Sequence, residues 1–584
     1  MRQTMRALCM GLLASGAAGC IDHDYDLTED MDMTLQLGGE SLTVPASSTD
    51  IITLSQILDL DEGSSIQTVK TAGQYGLALG DYVLIQEGNS SPSTFDVPTV
   101  SIDNLSGSTA KVVIPEFQSF GLQKITQTAP NSDISIHMQD DNVTTDIVSI
   151  ESADLDVAIE IEVGYESNDF NGTAYIEEGF TIKFDQSWTI AIDEQPASKY
   201  LVSDNNYTIR FKESYPVNAH NKLSLKLRLT KIDFTQLPAG QGLYSPGHFL
   251  IDSKIETSGD MTLTLSDLPI GQKANLTLVT SSKVSKATIN KVRGIVDPKI
   301  NISATNFEIN DIPDFLNDPA NHLDIDNPQI YLTVSNSSPL SIELDGKLTA
   351  YSEGNETATV NVGRQYGTDP IIVRGNSTTE FVICRTAVPG TNSIVIPNLS
   401  ALIETIPDRF SFHDASTKAI LEVADYTLGT SYNYNCDYKA VIPLAFGENM
   451  FLHYTHEEKD WDADLDKFNF NTAVVSFDAI NAVPLDMAPD AVALDHNGNE
   501  LSTIKVAVEG AVKAGSIERP TTSTVTITLT STGESIKELD GVRIIFNASS
   551  NSDYVGVNLN DQQNLKFENI RITVKGGVLV DLND

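Results

Sequence analysis

The chain has 584 residues, with 80 acidic against 37 basic side chains, which gives a formal charge of −43 at pH 7. At this length we expect several domains, since one domain averages about 150 residues. A hydrophobic fraction of 40% is enough for buried cores and argues against global disorder. The negative charge opposes non-specific binding to nucleic acid and to anionic lipid surfaces, so we expect no nucleic-acid partner.

The first residues have the pattern of an export signal. Arg2 and Arg6 precede an apolar run over 7–18, which is too short to span a bilayer and predicts a signal peptide over 1–19. The run ends in Ala17-Ala18-Gly19-Cys20, which resembles the lipobox of bacterial lipoproteins, although that pattern prefers Leu where Ala17 stands. The resemblance implies a diacylated Cys20, palmitate included, as the membrane anchor. An ordinary secretory peptide is the alternative.

An acidic tether follows over residues 20–33. It has no basic residue, and its acids are Asp22, Asp24, Asp26, Glu29, Asp30 and Asp32. This stretch resembles the lipoprotein export signal of Bacteroidota, which implies the outer face of the outer membrane. A solvated linker on a periplasm-facing lipoprotein is the other interpretation.

The body of the chain alternates apolar and polar residues with the period of a β-strand. Runs such as Leu155–Val163, Leu223–Leu229, Val525–Leu529 and Ile570–Val574 each place one face on a core and one in water. Turn residues separate them, and helical patterns are few and short. We therefore predict an all-β protein made of tandem antiparallel β-sandwich, Ig-like modules.

An internal repeat supports this prediction. The pattern N-x-x-P-L-x-apolar occurs at Asn336–Ile342 and at Asn481–Met487, and a Gly-Asn-Glu turn follows each copy. We expect Pro339 and Pro484 at equivalent bends after a strand, because proline interrupts a ladder. The first copy resembles the sandwich of type-2 late-embryogenesis-abundant proteins over some thirty residues, and we infer no function from it.

The turn-rich stretches between the predicted strands indicate four modules after the tether. We expect an N-terminal β module over 34–128, β-sandwiches over 129–288 and 289–396, and a C-terminal β-sandwich over 397–584. With its lipobox, acidic tether and stacked sandwiches, the chain as a whole resembles uncharacterised outer-membrane lipoproteins of gut Bacteroidota.

Two cysteines remain once Cys9 leaves with the signal peptide and Cys20 is lipidated. An exported chain meets oxidising conditions, so Cys384 and Cys436 are candidates for a disulfide. That bridge would close a loop of about 50 residues and stabilise the fold by about 4 kcal/mol. Two buried thiols are the alternative.

The sequence offers no catalytic constellation. It lacks a G-x-S-x-G elbow, a Walker loop and a G-x-G-x-x-G loop. Pairs of carboxylates are expected by chance in so acidic a chain and do not identify a catalytic site. A glycosidase, which uses two carboxylates, stays an open alternative. We therefore expect a protein that is not an enzyme.

One acidic stretch is a weak metal candidate. Asp460, Asp462, Asp464 and Asp466 stand at alternate positions, and carboxylates suit calcium. An EF-hand loop needs glycine where Leu465 stands, so a solvated loop is the preferred interpretation. His453 and His456 lack a third spaced ligand for zinc. We expect no cofactor, with structural calcium as the alternative.

The leading hypothesis is a surface-exposed lipoprotein, anchored through Cys20, that binds a protein partner at the outer membrane or outside the cell. A glycan-binding lipoprotein of a polysaccharide-utilisation system is the alternative. Two Trp are few for aromatic platforms that bind sugars, but the 18 Tyr leave this alternative open. A fimbrial or adhesin subunit is a third hypothesis. The absence of Lys and Arg from Cys20 to Val69 argues against the proteolytic processing that fimbrial subunits need.

Overall fold

The computed structural model confirms an all-β chain of packed antiparallel sheets. It describes residues 34–37, 41–45, 48–57, 65–89, 92–120, 124–129, 134–170, 172–264, 269–302, 305–310, 316, 318, 320–458, 470–533, 536, 538–575 and 578–581. In the part of the chain so described, no helix is both long and apolar enough to cross a membrane.

The first strands of the chain do not form a module of their own. They are β1 (Thr34–Leu37), β2 (Ser41–Pro45), β3 (Ile52–Thr53), β4 (Ile66–Thr68), β5 (Tyr82–Asn89), β6 (Ser93–Val97), β7 (Val100–Ile102), β8 (Asn104–Gly107) and β9 (Thr109–Gln118), with a short helix α1 (Leu54–Ile57) after β3. Strands β2 and β3 pair near the C-terminus, β4 to β6 join a second sandwich, and β7 to β9 join a third. The expected N-terminal module over 34–128 is therefore not formed.

The next strands build a large sandwich. They are β10 (Lys124–Ala129), β11 (Ile134–Asp140), β12 (Ile147–Glu166), β13 (Ala174–Ile176), β14 (Thr181–Lys183), β15 (Trp188–Ile192), β16 (Leu201–Asn205), β17 (Thr208–Phe211), β18 (Tyr215–Val217), β19 (Leu223–Asp233), β20 (Gly242–Ser245), β21 (His248–Thr264), β22 (Lys273–Val284) and β23 (Ala287–Val296). Its ten-stranded sheet has the central order β16-β17-β14-β21-β11-β8, and its eight-stranded sheet the order β15-β19-β12-β22-β9.

Two of the alternating runs pair with each other in this sandwich. Val157 lies opposite Leu229 and Val163 opposite Leu223 in the antiparallel ladder of β12 and β19. Their apolar side chains are almost fully buried, while the intervening polar residues face outward. The sandwich core therefore forms where two period-two patterns meet in register.

The middle sandwich follows. Its strands are β24 (Thr305–Glu308), β25 (Gln329–Asn336), β26 (Ile342–Ser352), β27 (Asn355–Val362), β28 (Ile371–Val373), β29 (Ser377–Cys384), β30 (Ser393–Val395), β31 (Arg409–Ala419) and β33 (Thr430–Pro443), while β32 (Ala424–Thr427) crosses to β23 of the large sandwich. One sheet has the order β30-β29-β25-β33-β5-β4, with β6 also on β33, and the other β24-β31-β26-β27, with β28 on β26.

The C-terminal sandwich completes the molecule. Its strands are β34 (Phe451–Glu458), β35 (Thr472–Asn481), β36 (Leu485–Leu494), β37 (Ile504–Glu509), β38 (Thr521–Ser531), β39 (Gly541–Ser550), β40 (Asn564–Lys575) and β41 (Val578–Asp581). One sheet has the order β2-β40-β35-β38-β37, with β3 also on β40, and the facing sheet is β34-β39-β36. Strand β1 pairs with β41, so the first and last described strands lie together.

The expected module boundaries cut through these sandwiches. The boundary after residue 128 falls inside β10, and the boundary after residue 288 falls inside β23. The boundary after residue 396 separates β29 from β33, which both pair with β25. The modules are therefore defined by pairing between distant segments and not by contiguous stretches of chain.

Short 3₁₀ helices and bridges complete the architecture. The 3₁₀ helices are Gln74–Gly76, Pro196–Tyr200, Phe234–Gln236, Arg364–Tyr366 and Leu399–Ile403. Isolated bridges such as Asp81 to Asn560 and His322 to Phe451 join the middle sandwich to the C-terminal one. The buried Asp81 also accepts a hydrogen bond from Nδ2 of Asn560 at 2.9 Å. The N-terminal stretch thus links all three sandwiches.

Candidate functional site

A cleft of about 520 Å³ lies on the outer face of the seven-stranded sheet of the middle sandwich. Its floor is a row across three neighbouring strands, in which Thr333 of β25 lies between Glu380 of β29 and Asp437 of β33. Asn89 of β5 extends this row, and Glu87 lies in the next row of the same face, opposite Lys439. The alternation of strand side chains places all of these residues on the same face of the sheet.

Tyr75 forms one wall of the cleft in an unusual backbone conformation. Its φ of 57° lies in the left-handed region, which is rare for a bulky residue and costs of order 1–3 kcal/mol. Its carbonyl accepts a hydrogen bond from Nε2 of Gln329 at 3.1 Å. Its ring meets the ring of Tyr331 edge to face, with centroids 5.4 Å apart. The surrounding contacts therefore hold a strained tyrosine over the sheet.

The polar groups beside these rings are fixed by hydrogen bonds. The Tyr331 hydroxyl donates to Oε1 of Gln329 at 2.8 Å, and Nζ of Lys439 lies 2.5 Å from Oε1 of Glu87. Burial, with a smaller contribution from Tyr75, raises the pKa of Tyr331 to about 12. The hydrogen bond to Glu87 raises the pKa of Lys439. Tyr331 is therefore a neutral donor and Lys439 a cation at physiological pH.

The cleft has the properties of a binding site. Its volume falls within the range of about 300–1,000 Å³ that small-molecule sites occupy. The carboxylates of Glu380 and Asp437 can accept hydrogen bonds from hydroxyl or amino groups, and the two tyrosine rings offer apolar surface beside them. Sequence patterns missed this site because its residues come from five separate segments of the chain. The Gly-Gln-Tyr-Gly turn at Gly73–Gly76 was the one local signal.

Cys384 and Cys436 do not form the disulfide considered from the sequence. Cys384 lies opposite Gln329 and Cys436 opposite Val334, on the two strands that flank β25. Five residues along a strand correspond to about 17 Å, whereas bridged cysteines have Cα atoms within about 7 Å. The odd offset also places the two side chains on opposite faces of the sheet.

Pro339 and Pro484 occupy matching bends in the middle and C-terminal sandwiches. After the bends, Ile342 lies opposite Val373 in one sandwich and Met487 opposite Val512 in the other. Before them, the Ser337 amide donates to the Asn433 carbonyl at 3.1 Å, and the Ala482 amide to the Asn564 carbonyl at 3.0 Å. The repeated motif thus has the same surroundings twice.

The remaining predicted site residues divide into two groups. Cys20 and the calcium candidates Asp460, Asp462, Asp464 and Asp466 lie outside the described residues. His453 is on β34, where its Nδ1 lies 3.0 Å from Oδ1 of Asn547. Across the described ranges, no group of three or more His, Cys, Asp and Glu side chains is arranged to hold a metal ion.

Comparison with known proteins gives little. No protein family matches the sequence, and none of the curated proteins is similar to it. A secreted-protein candidate from Parabacteroides distasonis is 14% identical, with a TM-score of 0.35 over 49% of this chain and 90% of that one. VP2 of infectious bursal disease virus is 8% identical, with a TM-score of 0.08 over 84% of this chain and 87% of that one. Scores this low identify no shared fold.

Proposed function

We propose that this chain is a lipid-anchored, surface-exposed binding protein of the outer membrane that catalyses no reaction. The lipobox ending in Cys20 and the acidic tether over 20–33 support the anchor and the location. The observation that carries the binding function is the cleft beside Tyr75 and Tyr331. Its partner is a protein of an envelope complex or an extracellular molecule.

The tether precedes strands that belong to the C-terminal sandwich. Strands β1 and β2 pair with β41 and β40, so an anchor at Cys20 attaches the molecule through its C-terminal sandwich. Fourteen tether residues reach at most about 50 Å when extended. The anchor would therefore keep the C-terminal sandwich within about 50 Å of the membrane surface.

One observation favours a glycan as the ligand. Sugars are bound by carboxylates that accept their hydroxyl hydrogens and by aromatic rings that cover their C–H faces. The cleft combines Glu380, Asp437 and Asn89 with the rings of Tyr75 and Tyr331. Tyr75 and Tyr331 therefore supply aromatic surface in the cleft, although the sequence has only two Trp.

The test uses one blocking variant and one matched control. Thr333→Arg fills the centre of the cleft, whereas Thr94→Arg changes an exposed residue of β6 in the same sheet outside the cleft. Each variant and the wild type are purified from the outer membrane in gentle detergent for mass spectrometry, and each is run through a panel of glycans by affinity electrophoresis.

The two variants should differ in binding. We expect a stoichiometric partner or a retarding glycan with the wild type and with Thr94→Arg, and its loss with Thr333→Arg. Equal retention by both variants would refute the cleft as the binding site. Recovery of the protein alone, with no retardation on any glycan, would refute the binding function.

A further inference from the structure

The charged side chains of the cleft do not balance one another. Its charged lining residues are Glu87, Glu380, Asp437 and Lys439, so three carboxylates stand against one ammonium group. Lys439 is already engaged, because its Nζ lies 2.5 Å from Oε1 of Glu87. Within the part of the chain that the structure describes, the carboxylates of Glu380 and Asp437 have no ion-pair partner. The cleft therefore presents two uncompensated negative charges.

These two carboxylates stand on either side of a single residue. Thr333 lies opposite Glu380 on β29 and opposite Asp437 on β33. Neighbouring strands of a sheet are about 4.8 Å apart, so the Cα atoms of the two acids are about 10 Å apart. Both acidic side chains are exposed on the outer face. A cationic group bound above Thr333 would lie between them, where each carboxylate can accept a charge-assisted hydrogen bond from it.

The rows on the two sides of Thr333 suit a saccharide. Tyr331 is two residues away on β25 and shares the same face of the sheet. On the other side the next row is uncharged, with Ser335 between Thr378 and Asn435. From Tyr331 to Ser335 the strand rises by about 14 Å, which is longer than one sugar ring. A saccharide along β25 would therefore meet an aromatic ring, two carboxylates and neutral polar groups in turn.

The centre of the cleft floor has no free strand edge that a peptide could extend. Strand β25 pairs with β29 and with β33 over its whole length, Gln329–Asn336. From Asp437 to Val441, β33 pairs with β25 on one side and with β5 on the other. Extended peptides gain affinity from backbone hydrogen bonds to an edge strand. Because this backbone is already paired, side chains must recognise the ligand, which favours a saccharide over a peptide.

We propose that the cleft binds a saccharide with free amino groups, one of which Glu380 and Asp437 hold above Thr333 as an ammonium group. This inference rests on the proposed binding function and names the chemical class of its ligand. The rings of Tyr75 and Tyr331 supply the apolar surface for the sugar ring. The net charge of −43 also attracts cationic ligands to the protein. N-acetylation of the amino group removes its charge and should therefore weaken binding.

A matched pair of ligands tests the charge. The trimers of glucosamine and of N-acetylglucosamine have the same sugar rings, and only the first is cationic at about pH 6. Each is titrated calorimetrically into the full chain carrying Cys20→Ser, which removes the predicted lipidation site and the need for detergent. We expect the glucosamine trimer to bind about tenfold more tightly or better. Equal binding of the two trimers would overturn the preference for a cation and leave the proposed binding function intact.

Variants of the cleft test the location, with effects of opposite sign. Glu380→Gln and Asp437→Asn each remove one carboxylate and should weaken binding of the glucosamine trimer about tenfold. Lys439→Gln removes the cation and frees Glu87, so it should strengthen this binding about threefold, which a loss of structure would not do. Asp96→Asn, at an exposed position of β6 outside the cleft, is the matched control and should leave binding unchanged. Equal effects of Glu380→Gln and Asp96→Asn would overturn the site.

The remaining outcomes separate this proposal from the proposed function. Trilysine carries ammonium groups without a sugar ring, and binding of trilysine as tight as that of the glucosamine trimer would overturn the saccharide class. If the chain binds neither trimer but still has a partner or glycan that Thr333→Arg abolishes, this proposal is wrong and the binding function stands. If no ligand is found in either set of experiments, both are wrong.

Discussion

Asn336 and Asn481 make the same hydrogen bonds at the ends of two different strands. Oδ1 of Asn336 accepts from the Ser338 amide at 2.8 Å, and Nδ2 donates to the carbonyls of Leu340 and Arg374. Oδ1 of Asn481 accepts from the Val483 amide at 2.7 Å, and Nδ2 donates to the carbonyls of Leu485 and Lys513. Both side chains are buried, so each amide holds a bend that backbone bonds alone leave unsatisfied.

Replacing either asparagine should weaken its own sandwich. Asn336→Ala and Asn481→Ala each leave buried backbone groups without their partner, which costs about 1–3 kcal/mol per group. We expect a loss of about 2–4 kcal/mol in each variant, measured by denaturant unfolding. Asn361→Ala, at an exposed position of β27, is the control and should change stability by less than about 0.5 kcal/mol. Similar losses in all three would contradict the role of the buried amides.

The stability of the middle sandwich should decrease at alkaline pH through Cys436. Burial raises the pKa of this thiol to about 11, above the value of about 8.5 in an unfolded chain. The folded state therefore retains a proton that the unfolded state loses. The stabilisation is complete below about pH 8.5 and is lost as pH rises towards 11.

The measurement for this effect is a difference between two proteins. The free energy of unfolding of the wild type minus that of Cys436→Ala should fall between pH 8.5 and 11, because other alkaline groups titrate in both proteins. A difference that stays constant over this range would show that the thiol is not shielded in the folded protein.

The contribution of Trp188 to stability should come from its aromatic ring and not from its indole N–H. The side chain is buried in the large sandwich and stacks on Phe184 at 6.1 Å, and within the described residues its Nε1 has no hydrogen-bond partner. Trp188→Ala should cost about 3–5 kcal/mol. Trp188→Phe should cost about half as much, since it retains a ring and gives up no bond. If Trp188→Ala and Trp188→Phe lower the free energy of unfolding equally, the indole N–H makes a polar contact in the folded protein.

Removing the first strands should weaken the C-terminal sandwich selectively. Strand β2 pairs with β40, with Leu42 opposite Val574. Deleting residues 20–53 removes β1 to β3 and leaves one edge of β40 uncovered. We expect faster amide hydrogen exchange in peptides from Asn564–Lys575 and unchanged exchange in β12 of the large sandwich.

The control for this truncation removes only the tether. Deletion of residues 20–33 keeps β1 to β3 and should leave exchange in β40 as in the full chain. Faster exchange after this shorter deletion, or unchanged exchange after the longer one, would contradict the pairing of the N-terminal strands with the C-terminal sandwich.

Local pattern was enough to predict the class of fold. The alternation in Leu155–Val163 and Leu223–Leu229 encodes one buried face per strand, and this property belongs to each segment alone. The repeated N-x-x-P-L motif also gave two related bends, since the asparagine amide bonds to backbone groups within four residues of itself.

The tertiary structure decided which segments share a sheet. The sequence of one strand does not identify the strand with which it pairs. The N-terminal sequence therefore did not predict that its strands divide among three sandwiches. The separation of Cys384 from Cys436 follows from the register of β29, β25 and β33. The residues of the cleft likewise meet only because hydrogen bonds between distant strands bring them together.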